Sequence, residues 1–189
     1  TPTPGSYTLG VNTYGQHSGD FNIHSVYVWD RELSNIEMKI VTAALRREIG
    51  GVPDMSLVNA PAVVPIGNLP AYYLRFLLAT RPPQSINIFS DFNGSVVPDR
   101  MGNGFAATLT EGTAMVVRHT GPSNGADNDI RVLGGNTSTK LLWPINSIPQ
   151  TMTICSVSRL TGGYYGRVLN AYQGPSQSTN WLHGHSGPN

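Results

Sequence analysis

Charge, cysteine and long apolar runs are all scarce in this sequence, and each scarcity removes a class of protein. Only 12% of the 189 residues are charged, and 12 Lys plus Arg stand against 11 Asp plus Glu, for a net charge of +1. These charges are scattered, so no basic field exists to neutralise a phosphate backbone, and nucleic acid is not an expected partner. The most apolar stretch, residues 69–79, is broken by Arg75 and falls short of the roughly 20 residues that a membrane-spanning helix needs, so no membrane insertion is expected. The single cysteine, Cys155, cannot form an internal disulfide, and the core alone must hold the fold. Alternation across residues 151–157 makes Cys155 a buried strand residue, with pairing to a cysteine outside the chain as the alternative.

Catalytic signatures are missing as well. No Gly-x-Ser-x-Gly elbow surrounds Ser156 or Ser158. No acidic pair alternates along a strand, as two carboxylates flanking a glycosidic bond would require. Asp30 and Glu32 have the spacing but precede a helix, where turn and cap contacts account for them. The expectation is a protein that is not an enzyme.

What is abundant is punctuation. The 21 Gly and 14 Pro divide the chain into short segments, which suits many strands joined by turns. Residues 6–12 and 21–29 alternate as strands. Phe21, Ile23, Val26 and Val28 cannot share one face unless the strand is bulged near His24; otherwise the strand is central and covered on both sides. Ser34 followed by Glu37 is a capping box that opens a helix ending at Gly50 and Gly51. Its apolar stripe is expected at Ile36, Ile40, Val41, Ala44 and Leu45, with Lys39, Arg46 and Arg47 in water. Residues 52–85 form an apolar, Pro-interrupted linker that should lie against a sandwich or another copy. Short strands are expected at residues 86–92, 105–109, 114–118, 129–133, 140–142, 151–159 and 166–171. The fold class is therefore all-β: an antiparallel β-sandwich of jelly-roll type with one short helix.

The run from Phe21 through Trp29-Asp30-Arg31-Glu32-Leu33-Ser34 to Leu45 resembles the closing strand and helix of laminin-G-like, concanavalin A-like lectin and glucanase sandwich domains. Ser90-Asp91-Phe92-Asn93-Gly94-Ser95 through Asp99, Gly102, Asn103 and Gly104 resembles the opening strand and turn of the same family. Residues 151–159, 166–170 and 180–185 resemble its middle strands. The order of the parts is inverted. Residues 1–51 would close one laminin-G-like domain, 52–85 would link, and 86–189 would open the next. A window of a tandem array and a circular permutant both fit, and the array is the favoured reading. In an array each part would leave strand edges bare, so the isolated chain should be poorly folded or self-associating, and should contact neighbouring copies through its linker.

The resemblance implies lectin-like sites. Asp99 and Asn103 can offer oxygens to calcium, the one candidate cofactor; the alternative is that they hold their turn through side-chain hydrogen bonds. Tyr164, Tyr165 and Trp181 are candidates to stack on a sugar ring, as are Trp143 and Tyr172. His183 and His185 alternate but lack a third ligand nearby. Asn93 and Asn136 each begin an N-glycosylation sequon. With neither an initiator Met nor a leader, the chain reads as a processed product, an excised piece or the ordered part of something longer. The functional expectation is an extracellular or cell-surface structural or adhesive module, a repeat unit of an array or filament that contacts copies of itself. A carbohydrate-binding module with glycan partners is the alternative.

Overall fold

The computed structural model describes residues 7–13, 18–50, 77–120, 126, 128–162, 168–172 and 182–183. Two antiparallel sheets face each other, and one helix lies on the outer face of the second. The first sheet runs β11 (Leu182–His183), β10 (Leu169–Tyr172), β1 (Thr8–Val11), β8 (Lys140–Leu142), β5 (Ala107–Glu111) and β4 (Val96–Val97). The second is built on β2 (Phe21–Trp29). Along one edge β2 pairs with β9 (Thr153–Leu160). Along the other, β7 (Ile130–Gly135) takes Phe21 to Ile23 and β3 (Ser85–Ile88) takes Ser25 to Val28, with β6 (Ala114–His119) beyond β7. The described residues form the expected all-β sandwich, with α1 (Asn35–Glu48) as its long helix and one further described helical turn at residues 77–80.

The parity problem in β2 is solved at His24. Its pairing with β9 runs Ile23↔Ser158 and then Ser25↔Val157, so His24 is an extra residue without a partner. That one residue turns Phe21, Ile23, Val26 and Val28 all inward, where they meet Leu9, Leu133, Leu141 and Leu169 from the surrounding strands. It also sends Tyr27 and Trp29 outward into a second cluster with Leu33, Val41, Leu45 and Cys155. Both expectations for this strand hold together: it is bulged, and it is covered on both faces. Full burial of side chains such as Phe21 and Val28 contributes about 1.5–3 kcal/mol each.

The helix, α1 (Asn35–Glu48), begins with the expected box: the Ser34 side chain accepts from the Glu37 amide, and the Glu37 carboxylate accepts from the Ser34 amide. Its buried face differs from the expected one at Ile36, Glu37, Ala43 and Arg47, the last half-buried rather than in water. Ile36 is 56% exposed, while Val41, Ala43, Ala44 and Leu45 are buried along with Glu37. Arg31 draws the Glu37 carboxylate inward with two bonds of 3.1 and 3.0 Å, and this turns the preceding Ile36 to solvent.

The segment expected as a strand over 86–92 is β3 followed by a 3-10 turn, Phe89–Asp91, which drives Phe89 into the core against Trp143. Trp143, weighed above as a sugar platform, is thus a core residue, its indole Nε1 donating to Asn87 Oδ1 at 2.8 Å. Strands from the two parts of the sequence interleave. β1 lies between β10 and β8, and β2 lies between β9 and the β3 and β7 strands, so the pairing that an array would assign to neighbouring copies is made inside this chain. Most of the linker, residues 52–76, lies outside the described residues. Leu77 is buried in this chain's own helix-side cluster.

Candidate functional site

Strand parity sends Asn22 and His24 of β2, Ile130 and Val132 of β7, and Val157 and Arg159 of β9 to the outer face of the second sheet. Together with His119 of β6 and Ile49 at the end of α1, these surround a recess of about 210 Å³. Gly134 makes the polar end possible: a β-carbon there would come within 3.0 Å of Asn22 Oδ1. Freed of that obstruction, Asn22 leans across β7, and its Nδ2 lies 2.8 Å from His119 Nε2. With the amide as donor, the imidazole accepts at Nε2 and carries its proton on Nδ1.

His24 sits behind this pair. Its Nδ1 is 3.2 Å from Ser25 Oγ and 3.9 Å from Glu48 Oε2, and Glu48 in turn accepts from the Tyr27 hydroxyl at 3.2 Å. Burial lowers the His24 pKa, helped by the positive charge of Arg100, so the ring is neutral at pH 7. Burial also raises the Glu48 carboxyl, opposed by the Tyr27 hydrogen bond. Burial and then the Glu48 charge push the Tyr27 phenol upward. Among the described residues no group of three or more His, Cys, Asp or Glu side chains converges in a way that could hold a metal ion. Among the described residues the lining offers hydrogen-bonding side chains, one guanidinium and apolar walls.

The sheet edge next to the recess is a second feature. Among the described residues β6 ends the second sheet, and it presents Met115 at 67% and Val116 at 37% exposure. Its one charged residue, Arg118, pairs with Asp129.

Of the residues singled out from sequence, Asp99 and Asn103 are brought together, in the turn after β4. Asp99 Oδ1 accepts from the amides of Ile86 and Met101 at 3.1 and 3.0 Å, and Oδ2 from those of Asn103 and Phe105 at 3.0 and 3.3 Å. Four backbone amides thus occupy the carboxylate's acceptor positions, the turn-holding role weighed beside calcium. Asn103 Nδ2 donates to the Gln84 carbonyl. Asn93 and Asn136 are exposed, each with its Oδ1 accepting from the hydroxyl two residues on, Ser95 and Ser138. Tyr164, Tyr165, Trp181 and His185 lie outside the described residues, as does the side chain of His183. Asp30 and Glu32 are exposed at the corner before α1.

The recess residues Asn22, His119 and Arg159 were not legible as a site. Parity within each strand gives the face, but their meeting depends on β2 pairing with β9 and β7, and on Gly134 being small. No family model, curated protein or solved structure matches this chain.

Proposed function

We propose that this chain is a non-enzymatic structural or adhesive module of an extracellular or cell-surface assembly, one that meets other copies of itself at the edge of its second sheet. The observation that carries the reading is β6. Among the described residues this six-residue strand ends the sheet, exposes Met115 and Val116, and holds a single Lys or Arg, Arg118, which is already paired with Asp129. Strands that must stay monomeric are blunted by free charges, proline or a covering loop. The exposed sequon residues Asn93 and Asn136 support an extracellular setting, because a glycan on either leaves the core undisturbed. The resemblance to laminin-G-like domains belongs to this proposal, and the preference for an adhesive over a catalytic role rests on the lack, in the sequence, of an acidic pair along a strand and of a nucleophile elbow.

The test is sedimentation velocity across a hundredfold range of protein concentration. The wild-type chain is expected to shift to faster-sedimenting species as concentration rises. Met115→Lys, at an exposed position where the fold tolerates charge, should keep it monomeric. A wild-type chain that stays monomeric throughout would rule the reading out.

A further inference from the structure

We propose that an N-linked glycan on Asn136 gates assembly at β6: copies that carry it are held apart, and copies that lack it pair edge to edge. This deepens the reading of β6 as an assembly edge and rests on it. Asn136 directly follows Gly135, the last residue of β7, and Gly135 is paired with Ala114 at the start of β6. The Thr139 hydroxyl joins the two strand ends, its Oγ1 lying 2.6 Å from the Thr113 carbonyl oxygen and 3.2 Å from Asn136 Oδ1. The asparagine amide is thus one hydroxyl away from the backbone that leads into β6. Met115 and Gly134 are opposite each other on the outer face, and Asn136 opens onto the same groove of about 320 Å³, lined also by Thr113 and Val117. Gly134 places no side chain between Asn136 and Met115. With strands about 4.8 Å apart and residues about 3.4 Å along each strand, Met115 lies roughly 8 Å from Asn136, within the span of the first sugars of a glycan.

The acceptor atom suits the modification. Asn136 is exposed, and its Oδ1 accepts from the amide and hydroxyl of Ser138 at 3.0 and 2.7 Å, while Nδ2 has no hydrogen-bond partner among the described residues. Replacing one Nδ2 hydrogen by a sugar therefore breaks no bond of the fold. In the transfer, Nδ2 bonds to the anomeric carbon of a lipid-pyrophosphate-linked oligosaccharide and loses one proton. The bond from that carbon to the pyrophosphate oxygen breaks, and the pyrophosphate leaves with the electron pair. A branched, hydrated glycan lying over Met115 then denies the edge to a second strand, as a covering loop does. Association at β6 belongs to copies whose Asn136 is bare. Asn93, the other sequon residue, precedes β4 in the first sheet and does not line this groove, so a glycan there serves as the internal control.

The experiment compares the 189-residue chain from two hosts, a bacterium that attaches no N-linked glycans and a eukaryotic cell that secretes it, with occupancy at Asn136 and Asn93 read by peptide mass spectrometry. Sedimentation velocity over a hundredfold concentration range gives the concentration of half-association for each. The bare chain is expected to associate, and the chain glycosylated at Asn136 to need at least about tenfold more protein to do so. Asn136→Gln and Ser138→Ala each remove the sequon and should return the secreted chain to the bare behaviour, whereas Asn93→Gln should not. An Asn136 without glycan in the secreted chain, equal association of the two preparations, or a shift that follows Asn93 would overturn the proposal. Equal association leaves β6 standing as the assembly edge and removes only the gate; a bare chain that stays monomeric removes both. Should the variants fail to fold, the two wild-type preparations decide alone.

Discussion

Glu37 concentrates more interactions than any other side chain near the helix. Its carboxylate accepts from the Ser34 amide at 2.8 Å and the Ser34 hydroxyl at 2.9 Å, takes both arms of Arg31, and receives Arg81 at 3.4 Å. The Arg31 bond holds its carboxyl at about 2, below the ordinary 4.5, against a desolvation cost that pushes the other way. The folded state therefore prefers the ionised form. The stability this contributes is fully present above pH 4.5 and is lost as pH falls through about 2. Urea denaturation over that window should show stability falling with acid. Glu37→Gln should cost about 1.5–3 kcal/mol at pH 7 and flatten the acid limb, and an unchanged limb would refute the assignment. The Ser34–Glu37 box was legible because it is local, two residues at fixed offset. Arg81 was not, since it arrives from more than forty positions along the chain. Cys155 illustrates the same contrast. Alternation gave its burial, whereas the neighbours that push its thiol up to about 11 by desolvation come from the distant helix. Ellman's reagent at pH 8 should modify it only at the rate of unfolding, because the thiolate is scarce and only 8% of the residue is exposed. Rapid labelling of the native chain would show the thiol to be accessible.

At the scale of an element, the bulge in β2 decides how the two clusters are shared. Four inward side chains spaced 21, 23, 26 and 28 announce a break in parity between 23 and 26, and the structure places it at His24. The role belongs to the extra residue, not to its imidazole. His24→Ala should therefore keep the register and change stability by about 1 kcal/mol or less. Deleting residue 24 must turn either Phe21 and Ile23 or Val26 and Val28 away from the core. At about 1.5–3 kcal/mol for each displaced side chain, that loss is comparable with a domain's total stability of about 5–15 kcal/mol. The deletion variant should show no cooperative thermal transition, and a native-like melt would mean the register does not depend on the bulge. Element boundaries were less legible where tertiary contacts override propensity. Residues 89–91 alternate like a strand, yet a 3-10 turn forms there because it sinks Phe89 against Trp143 and sets Asp91 against Arg100.

Across the whole molecule, strands could be read from the sequence but not their partners. Alternation marks β1 and β2 without saying whether their neighbours come from this chain or the next, which is why inverted order could be read as an array, the favoured reading, as well as a permutant. In the structure the 51 residues that precede the linker supply β1, β2 and α1, and every described strand they pair with begins at Ser85 or later. Neither part can bury its apolar face alone: β2 has lost β9, β3 and β7 in one piece, and the other has no central strand. Two separate polypeptides, residues 1–50 and 77–189, should thus each lack a cooperative melt, and when refolded together they should associate one to one and recover the far-ultraviolet dichroism of the joined chain. The linkage between them then contributes mainly an effective concentration, about millimolar for a short connection, so the split pair should melt lower and with a concentration dependence the intact chain lacks. If either piece alone melted cooperatively, or if the pieces did not recognise each other, the interleaving of β1 and β2 with the later strands would not be what holds the sandwich.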